Sequence, residues 1–339
     1  MRIGSRQIGP AHPPFVIAEI GINHGGSLEV AKEMVLRAAQ SGCECVKHQT
    51  HFVEDEMTEE AKQIFPPNAD VSIWEVMARC ALSKDDEIEL KRYSEQLGMI
   101  YLSTPFSRAA ADFLEEIGVL AYKIGSGEAD NIPLIRHIAR LGKPVIMSTG
   151  MQSIESLRAS VDILAQAGID YALLECTNLY PSPPEIVSLR GVSELQESFP
   201  GVPVGFSDHS IGPEMALASV ALGACILERH YTDTRYRAGP DIINSMDPAE
   251  LRLLIDRSKE IWIAANNPKE RTAAEEDVYR FARASVVADR DLPEGHTITE
   301  ADIWARRPGN GEIAGYDFDK VLGRTTTRAL RRNTQLRWV

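Results

Sequence analysis

The amino-acid sequence predicts an α/β protein in which a (β/α)₈ TIM barrel precedes a small β-rich module. Short, solid apolar runs alternate with amphipathic stretches from the N-terminus to about residue 265. Such runs are typical of strands buried on both faces, and the 3.6-residue spacing between them indicates helices. Eight strand–helix units in this length match a closed barrel. After a polar segment the pattern changes to short strands and turns, which indicates a separate module.

The predicted strands share a composition rich in Val, Ile, Leu, Ala and Cys; they span residues 15–20, 44–48, 99–103, 121–125, 144–148, 171–176, 202–206 and 225–229. The predicted helices span residues 28–40, 84–97, 107–116, 131–140, 154–167, 192–198, 213–222 and 248–264. A doubly wound open sheet is the alternative fold. It ordinarily has fewer strands, and no G-x-G-x-x-G sequence follows the first strand here.

The domain boundaries follow from the point at which the periodicity stops. Residues 1–265 are predicted to form the catalytic barrel domain and residues 266–280 a linker, which opens with Asn266, Asn267 and Pro268. Residues 281–339 are predicted to form the β-rich module. A module of this size has a small core, and we therefore expect it to dock on a partner surface.

Composition excludes several classes of function. The net charge is −13, so the chain has no global basic field for nucleic acid or for an anionic membrane. The five cysteines show no C-x-x-C spacing and are expected to be buried free thiols in a reducing compartment. The N-terminus lacks the apolar core of a signal peptide, and no later apolar run is long enough for a bilayer. We therefore predict a cytoplasmic protein.

Polar side chains follow every predicted strand at its C-terminal end. The strands end at or near these residues: Glu19, Lys47, Thr104, Lys123, Ser148, Asn178, His209 and His230. The carboxyl ends of barrel strands open on one face, and barrel enzymes carry their chemistry there. Ionisable groups at so many equivalent positions would be costly in a core without a purpose. The sequence therefore predicts an active site at this face.

Lys47 and Lys123 are predicted to bind an anion. Each lies at a strand end among apolar residues, and small residues with hydroxyl groups or free amides follow nearby. Fixed positive charge together with such donors is suited to phosphate or carboxylate groups. Structural ion pairing is the alternative, and a Schiff-base role for either lysine stays open.

His209 and His230 are predicted to hold a divalent metal. They occupy matched positions on the last two strands, and two imidazoles leave coordination positions open for substrate and water. Such ligands suit Mn²⁺, Fe²⁺, Co²⁺ or Zn²⁺ better than Mg²⁺. A pair of hydrogen-bonded buried histidines is the alternative. Asp208 and Glu228 flank the pair as supporting or substrate-binding candidates, unless they form ion pairs with neighbours such as Arg229.

The motifs in these positions resemble those of the bacterial N-acetylneuraminate (sialic acid) synthase family. They are FVIAEIGINHGG at 15–26, VKHQTH at 46–51, YKIGSGE at 122–128, GFSDH at 205–209, ERHYT at 228–232, GPD at 239–241 and RPGNG at 307–311. The resemblance covers essentially the whole chain. It implies a barrel with a C-terminal SAF (antifreeze-like) domain in a domain-swapped homodimer. It also implies condensation of phosphoenolpyruvate with N-acetylmannosamine and water to N-acetylneuraminate and phosphate, with Mn²⁺ or another divalent metal such as Mg²⁺ or Co²⁺.

The resemblance also implies roles for individual residues. Glu19, Lys47, Lys123 and Glu128 would be catalytic. Phosphoenolpyruvate would be held by Lys47, Thr104, Lys123, Ser126, Ser148, Asn178 and Ser207. The sugar would be held by Glu19, Gln49, Tyr180, Asp241 and Arg307, the last from the partner's SAF domain. His209 and His230 would bind the metal. Arg283 departs from the aromatic residue that some relatives carry before Ala-Ser-Val-Val.

Three other functions stay open on the sequence. A legionaminate or pseudaminate synthase would use phosphoenolpyruvate with a 2,4-diacetamido-6-deoxyhexose, and few contacts separate these sugars. A metal-dependent aldolase or hydrolase would fit the barrel face without phosphoenolpyruvate. A carbohydrate-binding or ice-binding module on an inert barrel is the non-enzymatic alternative, and the polar strand ends argue against it.

Overall fold

A computed structural model describes residues 1–66 and 70–338 of the chain. Contacts between residues divide it into two compact units, Met1–Asn267 and Pro268–Val339. The first unit begins with a short antiparallel hairpin, β1 (Arg2–Ile3) and β2 (Arg6–Gln7), which the sequence pattern did not predict. Among the described residues no helix has the length and apolar character needed to cross a membrane.

Eight parallel strands form the centre of the first unit. They are β3 (Phe15–Gly21), β4 (Cys45–Thr50), β5 (Ile100–Pro105), β6 (Tyr122–Ile124), β7 (Val145–Ser148), β8 (Tyr171–Cys176), β9 (Val204–Asp208) and β10 (Ile226–His230). Their order is β5-β4-β3-β10-β9-β8-β7-β6, and β5 and β6, at the two ends of this order, also lie side by side. The predicted (β/α)₈ barrel is therefore confirmed.

Helices connect and surround the strands. They are α1 (Leu28–Gln40), α2 (Val53–Glu56), α3 (Ile73–Cys80), α4 (Lys84–Gln96), α5 (Arg108–Glu116), α6 (Ile132–Arg140), α7 (Ile154–Gln166), α8 (Arg190–Ser198), α9 (Glu214–Ala221) and α10 (Pro248–Ala265). The eight predicted helices are all present, with ends that differ by two residues or fewer. The short helices α2 and α3 were not predicted; they follow β4 in the chain.

The barrel interior has an apolar floor with a polar layer above it. The floor side chains that lie in the strands, or directly before one, include Ile17, Cys45, Leu102, Ala121, Ile146, Leu174 and Ile226. Side chains along a strand alternate between its two faces, so the residue two positions later points into the same interior. These residues are Glu19, Lys47, Thr104, Lys123, Ser148, Cys176 and Glu228. The strand period thus places the polar strand ends in one space above the floor.

The second unit contains α11 (Glu276–Ala282), β11 (Ser285–Ala288) and β12 (Ile303–Arg306), with the two strands paired antiparallel. Val286, Ile298, Ile303, Val321 and Leu336 are among the buried side chains of its separate core. Helix α11 begins inside the segment for which the sequence suggested a linker. Its start, Glu276, follows a turn whose N-terminal residue Thr272 is capped by Glu275.

Candidate active site

One cavity of about 140 Å³ opens among the C-terminal ends of the barrel strands. Every predicted site residue lines it except Glu128, Asp241 and Arg307. The lining residues are Glu19, Lys47, Gln49, Thr104, Phe106, Lys123, Gly125, Ser126, Gly127, Ser148, Cys176, Asn178, Tyr180, Ser207, His209, Glu228 and His230. Most of the residues predicted for the barrel site therefore line one cavity.

Lys47 and Glu19 form a buried ion pair on the neighbouring strands β4 and β3. Lys47 Nζ lies 2.5 Å from Glu19 Oε2 and donates a hydrogen bond to Thr104 Oγ1 at 3.2 Å. Only 4% of Lys47 and 2% of Glu19 are exposed. Burial raises the pKa of Glu19 to about 7, although Lys47 opposes this effect. Burial alone would lower the pKa of Lys47, but Glu19 and Glu228 outweigh it and raise that pKa.

Lys123 occupies the opposite side of the cavity, on β6. Its Nζ donates to Ser148 Oγ at 2.7 Å and to the carbonyl of Ile124 at 3.1 Å. Glu228 Oε1 lies 3.6 Å from Lys123 Nζ and 4.0 Å from Lys47 Nζ, so one carboxylate serves both cations. Burial lowers the pKa of Lys123. For Glu228, burial acts to raise the pKa, but the two lysines outweigh it and lower the pKa.

Ser126 and Asn178 complete the side of the cavity next to Lys123, and both lie against Gly150. The Gly150 amide donates to Ser126 Oγ at 3.0 Å. A Cβ atom on Gly150 would lie 2.0 Å from Asn178 Oδ1 and 2.8 Å from Ser126 Oγ, so a side chain at this position would displace both groups. The arrangement of hydroxyl and amide groups beside two lysines is suited to an anionic ligand.

His209 and His230 stand on the adjacent strands β9 and β10, with ring centroids 5.4 Å apart. His209 Nδ1 lies 2.8 Å from the Thr177 carbonyl, to which it donates, so Nε2 carries the free lone pair. Burial lowers the pKa of His209 to about 4 and that of His230 to about 3. Both rings are therefore neutral near pH 7, which is the form that binds metals. The Tyr180 ring covers His209 at 4.1 Å between centroids.

The two imidazoles fit a metal, but they supply only part of its coordination. His230 Nδ1 is buried and makes no hydrogen bond with any described residue; Asp241 Oδ2 is 3.8 Å away. Within residues 1–66 and 70–338, no group of three or more His, Cys, Asp or Glu side chains is arranged as a metal site. A metal at His209 and His230 would therefore take its remaining ligands from substrate or water. That is the open arrangement of a catalytic site rather than a closed structural one.

Three predicted residues lie outside the cavity lining. Asp241 precedes the turn Ile242–Asn244, and burial raises its pKa to about 6. Glu128 ends the turn Ser126–Glu128 and accepts a hydrogen bond from Asn131. Burial raises the pKa of Glu128. Arg307 belongs to the second unit, where it follows β12 and is exposed.

Glu228 is the principal cavity residue for which the sequence left the role undecided. It does not pair with Arg229; Asp208 does so, with 3.3 Å between Asp208 Oδ2 and Arg229 Nε. The sequence does contain an indication that Glu228 lies in the cavity. Glu228 comes two residues after the buried Ile226, and because side chains along a strand alternate between its two faces, both point into the barrel. Cys176 could be placed in the cavity in the same way, because it lies two residues after the buried Leu174. Phe106, which comes after β5, has no comparable signal.

Comparison with known proteins agrees with this geometry. The NeuB family profile matches residues 34–270, and a SAF domain profile matches residues 283–339. N,N'-diacetyllegionaminic acid synthase of Campylobacter jejuni is 33% identical over 95% of this chain and 98% of its own. Human N-acetylneuraminate-9-phosphate synthase is 35% identical over 94% of this chain and 89% of its own.

Among solved structures, the chain is similar to the N-acetylneuraminic acid synthetase of Leptospira borgpetersenii in complex with citrate. The TM-score is 0.76 with 31% identity, over 82% of this chain and 94% of that chain. The profile match, the relatives and the barrel geometry lead to the same assignment. The chain is a member of the NeuB family with a C-terminal SAF domain, in a group of relatives that are sugar acid synthases.

Proposed function

We propose that this protein is an N-acetylneuraminate synthase, which condenses phosphoenolpyruvate with N-acetylmannosamine and water to give N-acetylneuraminate and phosphate. The observation that carries the proposal is the cavity itself. It combines two buried lysines with hydroxyl and amide donors on one side and two neutral histidines on the other. A phosphorylated carboxylate fits the first set, and a metal with open positions fits the second.

The lysines bind and orient the anionic substrate. Lys123, Ser148, Ser126 and Asn178 line the cavity together, and their donors would receive the oxygens of a phosphate or carboxylate group. Lys47 reaches the same space from the other side, beside Thr104. Their charges are balanced by Glu19 and Glu228 in the free protein. Ligand charge then adds to that of the carboxylates, which favours protonation of Glu19 when phosphoenolpyruvate is bound.

Carbon–carbon bond formation proceeds between C3 of phosphoenolpyruvate and the aldehyde carbon of the open-chain sugar. The aldehyde oxygen becomes a hydroxyl group by taking up a proton, and C2 of phosphoenolpyruvate becomes electron-deficient. Water adds to C2 and loses one proton. The resulting C2 hydroxyl group loses its own proton as the bond from C2 to the bridging oxygen breaks, so C2 becomes a keto carbon and phosphate leaves with the bridging oxygen. Glu19 is placed to accept or return a proton, because its pKa of about 7 lies near neutral pH. A divalent metal such as Mn²⁺ at His209 and His230 would supply Lewis-acid polarisation of the aldehyde oxygen.

A second sugar specificity is supported by the relatives. Two of them at 33% and 34% identity are N,N'-diacetyllegionaminic acid synthases, so a 2,4-diacetamido-6-deoxyhexose is the alternative acceptor. Pseudaminate synthesis would use a sugar of the same class. The cavity chemistry for phosphoenolpyruvate and metal is the same for all of these acceptors, and only the sugar contacts would differ. We further propose that the protein acts in the cytoplasm as a domain-swapped homodimer.

Phosphate release with a panel of acceptors tests the proposal. Purified protein is incubated with Mn²⁺, phosphoenolpyruvate and one sugar at a time: N-acetylmannosamine, its 6-phosphate, or a 2,4-diacetamido-6-deoxyhexose. We expect the highest kcat/KM with N-acetylmannosamine. Preference for another acceptor would replace the proposed sugar, and absence of sugar-dependent phosphate release with every acceptor would reject the proposed reaction class.

A further inference from the structure

A chain of hydrogen bonds joins helix α2 to the active-site cavity. Glu56 Oε2 lies 2.8 Å from His51 Nδ1, and His51 Nε2 lies 3.1 Å from Gln49 Oε1. Gln49 Nε2 then donates to Glu19 Oε1 at 2.8 Å. His51 is 4% exposed and does not line the cavity, whereas Gln49 and Glu19 do. A buried histidine outside the cavity is therefore connected to a carboxylate inside it.

The polarity of this chain follows from the donor and acceptor groups. The amide nitrogen of Gln49 faces Glu19 Oε1, which accepts from it, so the amide oxygen of Gln49 faces His51. His51 Nε2 must then carry a proton. His51 Nδ1 faces a carboxylate oxygen of Glu56 on the other side of the ring, so the ring is held at both of its nitrogens.

Neighbouring groups limit the movement of the hydrogen-bonded residues His51, Gln49 and Glu19. The Phe106 ring stacks on His51 with 4.5 Å between centroids and 13° between planes. At the other end, Gly21 has φ +49°, and a Cβ atom there would lie 3.1 Å from Glu19 Oε1 and 3.2 Å from Gln49 Nε2. The backbone therefore approaches the Glu19–Gln49 contact closely on one side.

We infer that His51 and Glu56 are positioning residues, which fix the orientation of the Gln49 amide so that it offers an N–H donor to the acceptor sugar. Glu19 uses one of the two N–H groups of this amide, and the other is available to an oxygen of a ligand in the cavity. A flipped amide would turn its oxygen toward the carboxylate of Glu19 and repel it. The inference rests on the proposed function, because it takes the sugar as the ligand beside Glu19.

Substitution of His51 tests this inference. His51→Phe keeps a ring that can stack on Phe106 but removes both hydrogen bonds. His51→Gln keeps an N–H donor for Gln49. We expect His51→Phe to raise the KM for the sugar roughly tenfold, the effect of about one hydrogen bond, and to change the KM for phosphoenolpyruvate less than twofold. His51→Gln should restore most of the loss. His137→Phe, at a half-buried histidine that pairs with Asp112 and does not line the active-site cavity, is the control.

A double-mutant cycle separates positioning from a general structural effect. If His51 acts through Gln49, His51→Phe should cause no further change in the sugar KM of a Gln49→Ala variant. Equal effects in both backgrounds would overturn the inference, as would an unchanged sugar KM in His51→Phe. If His51→Phe does not fold, a comparison of Glu56→Leu with Glu56→Gln tests the same hydrogen-bonded series at the partly buried Glu56. Only the variant without a hydrogen-bonding group should weaken sugar use.

Failure of the proposed function gives a different result. In that case the unsubstituted protein itself would show no sugar-dependent phosphate release, and the sugar would not bind to it in calorimetric titration; the inference would fall with the function. If the unsubstituted protein is active and His51→Phe behaves like His137→Phe, the function stands and the positioning role is rejected.

Discussion

Replacing Glu228 by glutamine should destabilise the free protein and increase its response to phosphoenolpyruvate. The carboxylate lies 3.6 Å from Lys123 Nζ and 4.0 Å from Lys47 Nζ. At an effective dielectric constant of 20, each contact is worth about 4 kcal/mol before desolvation is counted. The neutral amide avoids several kcal/mol of carboxylate desolvation. We therefore expect a net loss of about 3 to 5 kcal/mol in the free energy of unfolding, as for other buried pairs that lose one partner.

Urea unfolding and thermal melting, each with and without phosphoenolpyruvate, measure both effects. The ligand brings negative charge to lysines that have lost Glu228, so it should raise the melting temperature of Glu228→Gln more than that of the unsubstituted protein. Glu175→Gln is the matched control: this half-buried carboxylate on β8 lies outside the cavity and forms no ion pair with a described residue. A stability loss below about 1 kcal/mol, or a smaller ligand response than in the unsubstituted protein, would show that Glu228 does not balance the charge of the two lysines.

Three further predictions concern the metal, the anion site and pH. His209→Ala should lose bound Mn²⁺ and condensation together while the circular dichroism spectrum is retained; equilibrium dialysis measures the metal, and an active variant without it would contradict the metal site. Gly150→Ala should weaken phosphoenolpyruvate binding at least tenfold, because the added methyl group strikes the anion site, whereas Gly315→Ala, in the second unit, meets no atom closer than 3.4 Å and should bind normally in calorimetric titration. Glu19 ionises as the pH rises through about 7, so kcat/KM should fall below that pH; a profile flat from pH 8 to 5.5 would exclude ionised Glu19 as the base.

The fold could be predicted because its signals are local and repeated. Strands such as β8 and helices such as α1 have the predicted bounds, since solid apolar runs and helical spacing both report burial directly. The hairpin β1–β2 was missed because two-residue strands carry no periodicity. Helix α2 was missed because its sequence Val-Glu-Asp-Glu reads as an exposed acidic loop, although Glu56 turns inward to His51.

The candidate site could be predicted only as far as strand ends indicate it. Lys47 and Lys123 were placed together because all barrel strands end on one face. For Glu228, the sequence could not decide between an ion pair with Arg229 and a position in the cavity. A side chain at this strand end can take part in either arrangement. The role of His51 depends on contacts with Gln49 and Glu56, and such contacts arise only when the loop after β4 folds back. Pairwise geometry of this kind has no signature in a single sequence.

Product identification tests whether the cavity joins phosphoenolpyruvate to an N-acetylated amino sugar. Purified protein is incubated with Mn²⁺, phosphoenolpyruvate and N-acetylmannosamine, and the products are identified by mass spectrometry and phosphorus NMR. We expect N-acetylneuraminate and inorganic phosphate in equal amounts, with neither formed when the sugar is omitted. Pyruvate and phosphate released without a sugar adduct, or phosphoenolpyruvate recovered unchanged, would contradict it.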